Sequence, residues 1–279
     1  MTRCVIACMP DTVEACLPDS RGTRMTTQHD KAARFHALHQ PGNPLVLFNI
    51  WDPGSAKAVA AAGAAAVATG SWSVAAANGF DDGERMPLAL ALDNLRRIVA
   101  ATDLPVTIDL ESGYGETPEH VATTVLAALD AGAVGCNIED SFPESGALRD
   151  AADQAQRLAQ ARKAADAAGI ALFINARCDV FFQKPGEAHD EEMIDEALDR
   201  ARAYAAAGAN GLFLPGLSDE RLIVRAAQGS PLPVNVMAMP GTPSMARLRE
   251  LGVARVSHGP GPYRGAMQWL QDAARDAMA

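Results

Sequence analysis

Two short acidic segments hold the residues best suited to chemistry. The first reads Val106-Thr-Ile-Asp109-Leu-Glu111-Ser-Gly113-Tyr114-Gly115, the second Asn137-Ile-Glu139-Asp140. Alternate side chains of a strand share a face, so Asp109 and Glu111 are expected to point together into one site. Glu139 and Asp140 bring at least one further carboxylate to the neighbouring strand end. Gathered carboxylates repel one another unless protons or a cation intervene. A hard divalent ion with oxygen ligands, Mg²⁺ or Mn²⁺, resolves that repulsion and commonly keeps several waters. Capping a helix is the competing role for any one of these acids.

A third segment reads Asn175-Ala-Arg177-Cys178-Asp179. An arginine beside acids suits bidentate capture of a carboxylate or phosphoryl group, and a structural Arg177–Asp179 pair is the plainer alternative. Cys178 has no histidine near it in sequence and reads as a buried, inert thiol rather than a nucleophile. Thr69-Gly70-Ser71-Trp72-Ser73 offers backbone amides and hydroxyls to an oxyanion. Asp81-Asp82-Gly83-Glu84 follows and could place one more acid over the site, although Asp-Gly also marks an ordinary turn. His258 is either a general acid or base or a hydrogen-bonded histidine at a strand end. The chain has no Walker A loop, no complete G-x-G-x-x-G, no H-E-x-x-H and no G-x-S-x-G, which removes the usual NTPase, dinucleotide, zincin and hydrolase readings.

Eight short apolar runs must position these residues: Leu45–Ile50, Ala65–Gly70, Pro105–Leu110, Gly135–Asp140, Leu172–Arg177, Gly211–Gly216, Val234–Met239 and Ala254–Gly259. Ala-rich stretches long enough for helices separate most of them. This alternation predicts an α/β fold, a single (β/α)8 TIM-type barrel, with the active site at the C-terminal strand ends. A recurring phrase supports repeated units: Ala61-Ala-Gly-Ala, Asp130-Ala-Gly-Ala, Ala206-Ala-Gly-Ala and Glu250-Leu-Gly-Val. Glycine just past a helix takes the left-handed conformation, and a strand follows at once. A helical pattern at Lys31–His39 precedes the first strand and could plug the barrel bottom.

Residues 1–24 lack the periodicity of the rest and read as an atypical or poorly ordered extension. Residues 25–279 read as one barrel domain. The 279 residues are 48% hydrophobic with a formal charge of −10, which gives no basic footprint for nucleic acid or an anionic membrane. No apolar run approaches the roughly 20 residues that span a bilayer. Five cysteines (Cys4, Cys8, Cys16, Cys136, Cys178), an odd number without C-x-x-C spacing, indicate neither a disulfide framework nor a zinc site. The expected location is cytoplasmic.

Taken together, Asn49-x-Trp51-Asp52, Ala-Gly-Ala before the second strand, Asp109-x-Glu111-x-Gly-Tyr-Gly, Asn-Ile-Glu139-Asp140 and Asn-Ala-Arg177-x-Asp179 resemble the isocitrate lyase/phosphoenolpyruvate mutase superfamily, from about Phe35 to Gly259. The resemblance implies a barrel that exchanges its C-terminal helix with a neighbour in a homotetramer, a dimer of dimers. It also implies Mg²⁺ and small 2-oxo-acid substrates. Matched by motif, Asp109 is the acid closest to the metal, with Glu111 and Glu139 as further ligands. Arg177 is the anion-binding arginine. Gly70, Ser71 and Trp72 fall where the oxo-acid carboxylate binds, and Asn235 is counted with these substrate-binding positions. Asp82 matches the loop aspartate that acts on the transferred group in the mutases. Two features depart from the family pattern: Glu111 stands where an aspartate is usual, and Ser141–Asp150 lacks the Lys-Cys-Gly-His segment of the isocitrate lyases.

The expected activity is therefore a Mg²⁺-dependent lyase, with Asp82, Arg177 and Asp109 as its catalytic residues. It would cleave or decarboxylate a small 2-oxo or 2-hydroxy di- or tricarboxylate through an enolate-like pyruvyl intermediate. P–C chemistry (a phosphonomutase or phosphonopyruvate hydrolase) is the alternative, and a catalytically weak 2-oxo-acid-binding protein is another. Residues 141–150 are expected to form a lid that excludes water.

Overall fold

The computed structural model describes residues 27–279. The extension expected over residues 1–24, with Cys4, Cys8 and Cys16, lies outside the described residues. Eight strands form one parallel sheet: β1 (Leu45–Leu47), β2 (Val67–Ala68), β3 (Val106–Asp109), β4 (Gly135–Glu139), β5 (Phe173–Arg177), β6 (Gly211–Leu214), β7 (Val234–Met237) and β8 (Arg255–Ser257). Their order is β1-β8-β7-β6-β5-β4-β3-β2. One parallel bridge, Ile50 to Thr69, joins the two ends of this order and closes the ring. The expected TIM-type barrel is thus present, its strands shorter than the apolar runs that foretold them. β2 is the extreme case, two residues where six were expected.

Ten α-helices accompany the strands among the described residues: α1 (Gln28–Ala37), α2 (Pro53–Ala61), α3 (Ser71–Ala77), α4 (Leu88–Ala100), α5 (Pro118–Asp130), α6 (Ala151–Ala167), α7 (Glu191–Ala206), α8 (Glu220–Gly229), α9 (Met245–Glu250) and α10 (Gly261–Met278). Local chemistry starts most of them. Thr27 and Asp52 each form a reciprocal capping box, with Asp30 and Ser55, and Asp150, Asp190, Asp219 and Ser244 accept amide hydrogen bonds at their own helix starts. The repeated glycines at 63, 132, 208 and 252 all take φ between 83° and 95°, the left-handed geometry expected after a helix.

The barrel bottom is closed by α1. Phe35 is fully buried edge-on to Phe173, and His39 stacks on the same ring at 3.8 Å. A Cβ on Gly135 would stand 2.7 Å from the Phe35 ring, so glycine there makes room for the plug. Burial, with the Arg255 charge nearby, lowers the His39 pKa to about 3, so it is a neutral packing element. Above this plug lies a polar layer rather than a purely aliphatic one. Arg255 is fully buried, donating through Nε to Ser257 Oγ at 3.2 Å and through Nη2 to Asn137 Oδ1 at 3.3 Å. Asn175 donates to the same Asn137 oxygen at 2.9 Å.

Candidate active site

The C-terminal strand ends surround a cavity of about 180 Å³ lined by Asn49, Gly70, Ser71, Trp72, Ser73, Asp82, Asp109, Asn137, Arg177, Phe182, Phe213, Pro215, Met237, Ser257, Gly259 and Pro260. Six expected site residues (Gly70, Ser71, Trp72, Asp82, Asp109, Arg177) therefore share one cavity. A second hollow adjoins it, and Asp82, Glu111, Glu139, Asp179 and Arg177 line that one. Asn235 is placed elsewhere. It is buried beneath the floor and donates to Ser257 Oγ at 3.1 Å, so it reaches the cavity only through that hydroxyl.

Asp109 ends β3. Its amide donates to Thr69 Oγ1 at 3.0 Å, and its carboxylate accepts from the Ser71 amide at 3.2 Å. The Ser71 amide, expected to face an oxyanion, is thus turned to Asp109. The Ser71 hydroxyl in turn favours the charged form of Asp82. Burial first and the Asp109 charge second raise the pKa of Asp82.

Glu111 lies beyond the strand, at φ 51°, rather than on the face of β3. With Glu84 (φ 58°) and Tyr114 (φ 51°) it makes up the three non-glycine residues of positive φ among the described residues, and the three form one clasp. Glu84 Oε1 accepts from the Ser112 hydroxyl at 2.6 Å, the Ser112 amide at 3.1 Å and the Tyr114 amide at 2.8 Å. The Glu84 amide and the Tyr114 hydroxyl both donate to Glu111, at 2.5 and 2.8 Å. Left-handed residues of this kind persist only where surrounding bonds fix them. Burial, reinforced by Asp82 and Asp109, pushes Glu111 up to about 7 against those hydrogen bonds.

Arg177 is engaged on two sides. It holds Asp179 through Nε at 2.7 Å and Nη2 at 3.0 Å, and Glu139 through Nη1 at 2.6 Å. The structural pair with Asp179 is therefore present, and the same side chain lines the cavity. Burial works against its charge, but Glu139, Asp179 and Asp109 outweigh it and raise the pKa. Burial raises Glu139 as well, opposed by the ion pair with Arg177. Asp140 turns away from the mouth. It accepts from the Tyr204 hydroxyl at 2.7 Å, from Arg200 at 3.3 Å and from the Asp179 amide at 2.8 Å, which anchors the arginine's partner.

Cys178 is buried, its thiol pushed up by burial and then by Asp140. The His258 ring lies against Phe48, centroids 5.0 Å apart, and is not among the cavity's lining residues. The segment after β4 is a compact turn, in which Ser141 bridges Leu148 and Arg149 stacks over Phe142 at 4.0 Å. Its Pro143 carbonyl would stand 3.2 Å from a Cβ on Gly83 (φ 83°), so this turn meets the Asp82 loop over a glycine.

Sequence reasoning passes over Phe213, Pro215 and Met237 in the lining, because apolar residues in apolar runs look like core; Phe182 and Pro260 lie outside those runs and carry no polar group that would single them out. Asn49 enters it only through the family resemblance, with no task. The structure supplies one: Asn49 Nδ2 donates to the Thr69 carbonyl at 3.0 Å, and Oδ1 accepts the amides of His258 and Gly259 at 2.9 Å.

Among the described residues no three His, Cys, Asp or Glu side chains form a ready-made metal cluster. The donor set nevertheless fits a hard divalent ion. It is all carboxylate oxygen: the Asp109 charge is near enough to raise the pKa of Asp82, Glu111 and Glu139, so the four groups share one region of the mouth.

An eight-stranded parallel barrel with carboxylates and an ion-paired arginine at its C-terminal mouth defines a (β/α)8 enzyme scaffold. The family profile described as phosphoenolpyruvate phosphomutase matches residues 35–278. The chain belongs to this family, within the isocitrate lyase/phosphoenolpyruvate mutase superfamily. A crystal structure from Burkholderia cenocepacia J2315, named provisionally as a phosphonomutase, is 59% identical, covers 90% of this chain and 99% of its own, and superposes with a TM-score of 0.88. A Mycobacterium tuberculosis H37Rv protein with no assigned activity is 35% identical over 86% of this chain and 87% of its own. The 2-methylisocitrate lyase of Escherichia coli K12 is 28% identical over 77% of this chain and 73% of its own.

Proposed function

We propose that this protein is a Mg²⁺-dependent lyase, with Mn²⁺ as an alternative ion. It cleaves or decarboxylates a small 2-oxo or 2-hydroxy di- or tricarboxylate through an enolate of the pyruvate type. The observation that carries this reading is the convergence of Asp109 and Asp82 with the Arg177 ion-pair group on one cavity. Asp109 would hold the ion, helped by Glu111 and Glu139. A bound divalent ion supplies Lewis acidity that stabilises charge developing on a substrate oxygen. The chain's own groups do the rest. Gly70, Ser71 and Trp72 bound the oxo-acid end, and Arg177, fixed in place by Asp179, presents its guanidinium to the distal anion. Asp82, its pKa raised, is placed to hold or pass the proton at a carboxyl oxygen.

The test is a proton and phosphorus NMR time course with Mg²⁺ on oxaloacetate, methylisocitrate, a dialkylmalate, phosphonopyruvate and phosphoenolpyruvate, with Asp109→Ala as control. An oxo acid released from a carbon substrate by the wild type alone supports the lyase reading. Turnover seen only in the phosphorus spectrum replaces it with the P–C alternative, which Asp82 at the rim favours; Asp82→Asn should then abolish that turnover. Binding without turnover of any of the five leaves a 2-oxo-acid-binding protein.

The homotetramer belongs to the same proposal. Among the described residues α10 has no buried residue, and Trp269, Leu270 and Met278 stand 70%, 52% and 81% exposed. Exposed apolar area of this kind marks an interaction surface, and a second copy of the chain suits it. Light scattering should give four times the monomer mass, whereas a monomer would remove this part of the proposal.

A further inference from the structure

The cavity wall changes character along the strand order. Its charged lining residues (Asp82, Asp109 and Arg177) all come from the β2-to-β5 side. From β6 onward the wall is Phe213, Pro215, Met237 and Pro260, with Phe182 leaning in from the loop after β5. Ser257 is the one hydroxyl on that side.

Charge sharpens the division. The mouth and its adjoining hollow carry five carboxylates, at positions 82, 109, 111, 139 and 179, against one arginine. That arginine is already shared by Glu139 and Asp179. Arg255 lies behind Asn137 and Ser257, which line the floor, and is not itself a lining residue. A divalent ion together with Arg177 can serve two substrate carboxylates on the polar side. A third carboxylate against Phe213 and Met237 would meet no cation, and the one hydroxyl on that side, Ser257, is already engaged with Asn235; burying an unpaired charge is strongly unfavourable. An alkyl group of the same size would be welcome there, at about fourfold in affinity per buried methylene.

We infer that the β6–β8 wall is the pocket for an uncharged alkyl branch, so that the substrate is an alkyl-substituted dicarboxylate rather than a tricarboxylate. This rests on the oxo-acid reading above. The discriminating probes are four hydroxy acids that share the malate frame: malate, 3-methylmalate, 3-isopropylmalate and isocitrate. The last two carry branches of similar size, one alkyl and one carboxymethyl.

Titration calorimetry on the full chain with Mg²⁺, with pyruvate and oxalate as controls for the oxo-acid site, should give rising affinity from malate through 3-methylmalate to 3-isopropylmalate. Isocitrate should bind at least tenfold more weakly than 3-isopropylmalate. Isocitrate binding as tightly as 3-isopropylmalate would overturn the inference while leaving the oxo-acid reading intact. If pyruvate and oxalate also fail to bind, the oxo-acid reading falls and takes this inference with it. Met237→Arg, at a half-buried position, places a cation on the wall and should move the isocitrate to 3-isopropylmalate ratio at least tenfold toward isocitrate. An unchanged ratio in a folded variant would remove Met237 from the wall.

Discussion

The polar and apolar halves of the barrel mouth are built by the same repeating unit, yet they hold their side chains in different ways. On the polar side almost every functional atom is tied to another: Asp109 to Ser71 and Thr69, Glu111 to Glu84 and Tyr114, Arg177 to Asp179 and Glu139. On the apolar side Phe213 and Pro215 are held by burial, and Met237 is only half-buried. Charges must be held by directional bonds, since a displaced charge in a buried site loses far more than a displaced methylene does. The polar half is therefore expected to tolerate little change and to carry the chemistry. The apolar half is expected to tolerate change and to choose the substrate.

Substitutions at four positions test that contrast, in descending order of effect. Asp109→Ala should lower kcat/KM by about 10³-fold or more, the scale of removing a principal electrostatic contribution. Steady-state assay with unchanged circular dichroism checks it, and activity near wild type would end the assignment. Arg177→Met leaves Asp179 and Glu139 buried without their cation, which costs about 3–5 kcal/mol of stability in denaturant melts, along with most of the activity. A melt as stable as wild type would show that the ion-pair group does not hold the polar half together.

Glu84→Ala touches no lining residue directly but releases Ser112, Tyr114 and the loop that carries Asp82. Turnover should fall by about 10- to 100-fold, as for other supporting partners of a site. Glu84→Gln keeps the accepting oxygen and should recover much of the loss. Equal losses in both variants would point to charge rather than positioning. Met237→Ala should be mildest, raising KM by about tenfold or less for 3-isopropylmalate and leaving malate unaffected, since only contacts to the branch are lost. An equal effect on both compounds would dissolve the division of labour.

The barrel was legible because its signals are local and repeated: apolar runs, acidic and hydroxyl caps, and glycine just past a helix. The charged part of the site was legible because Asp109, Glu139 and Arg177 end strands, and the C-terminal strand ends form the mouth of a barrel. Glu111 broke that rule because its left-handed backbone depends on Glu84, 27 residues earlier in the chain. Asn235, counted with the substrate-binding positions, lies inside β7 rather than at its end, and the Ser257 hydroxyl comes between it and the cavity. The apolar wall was illegible for another reason. Phe213 and Met237 do what strand residues ordinarily do, and only the closed ring shows that a cavity stops above them.

A ring closed by so little ladder leans on Asn49. One amide side chain spans β1, β2 and the turn after β8, and it also forms part of the cavity wall. The ring fastener and the substrate wall are thus one group. A molecule seated in the cavity presses on the seam, and local opening of the ring disturbs the cavity. Occupancy should therefore be audible at a distance from the ligand, as slower hydrogen exchange of the Ile50 amide, which donates to Ala68 across the seam.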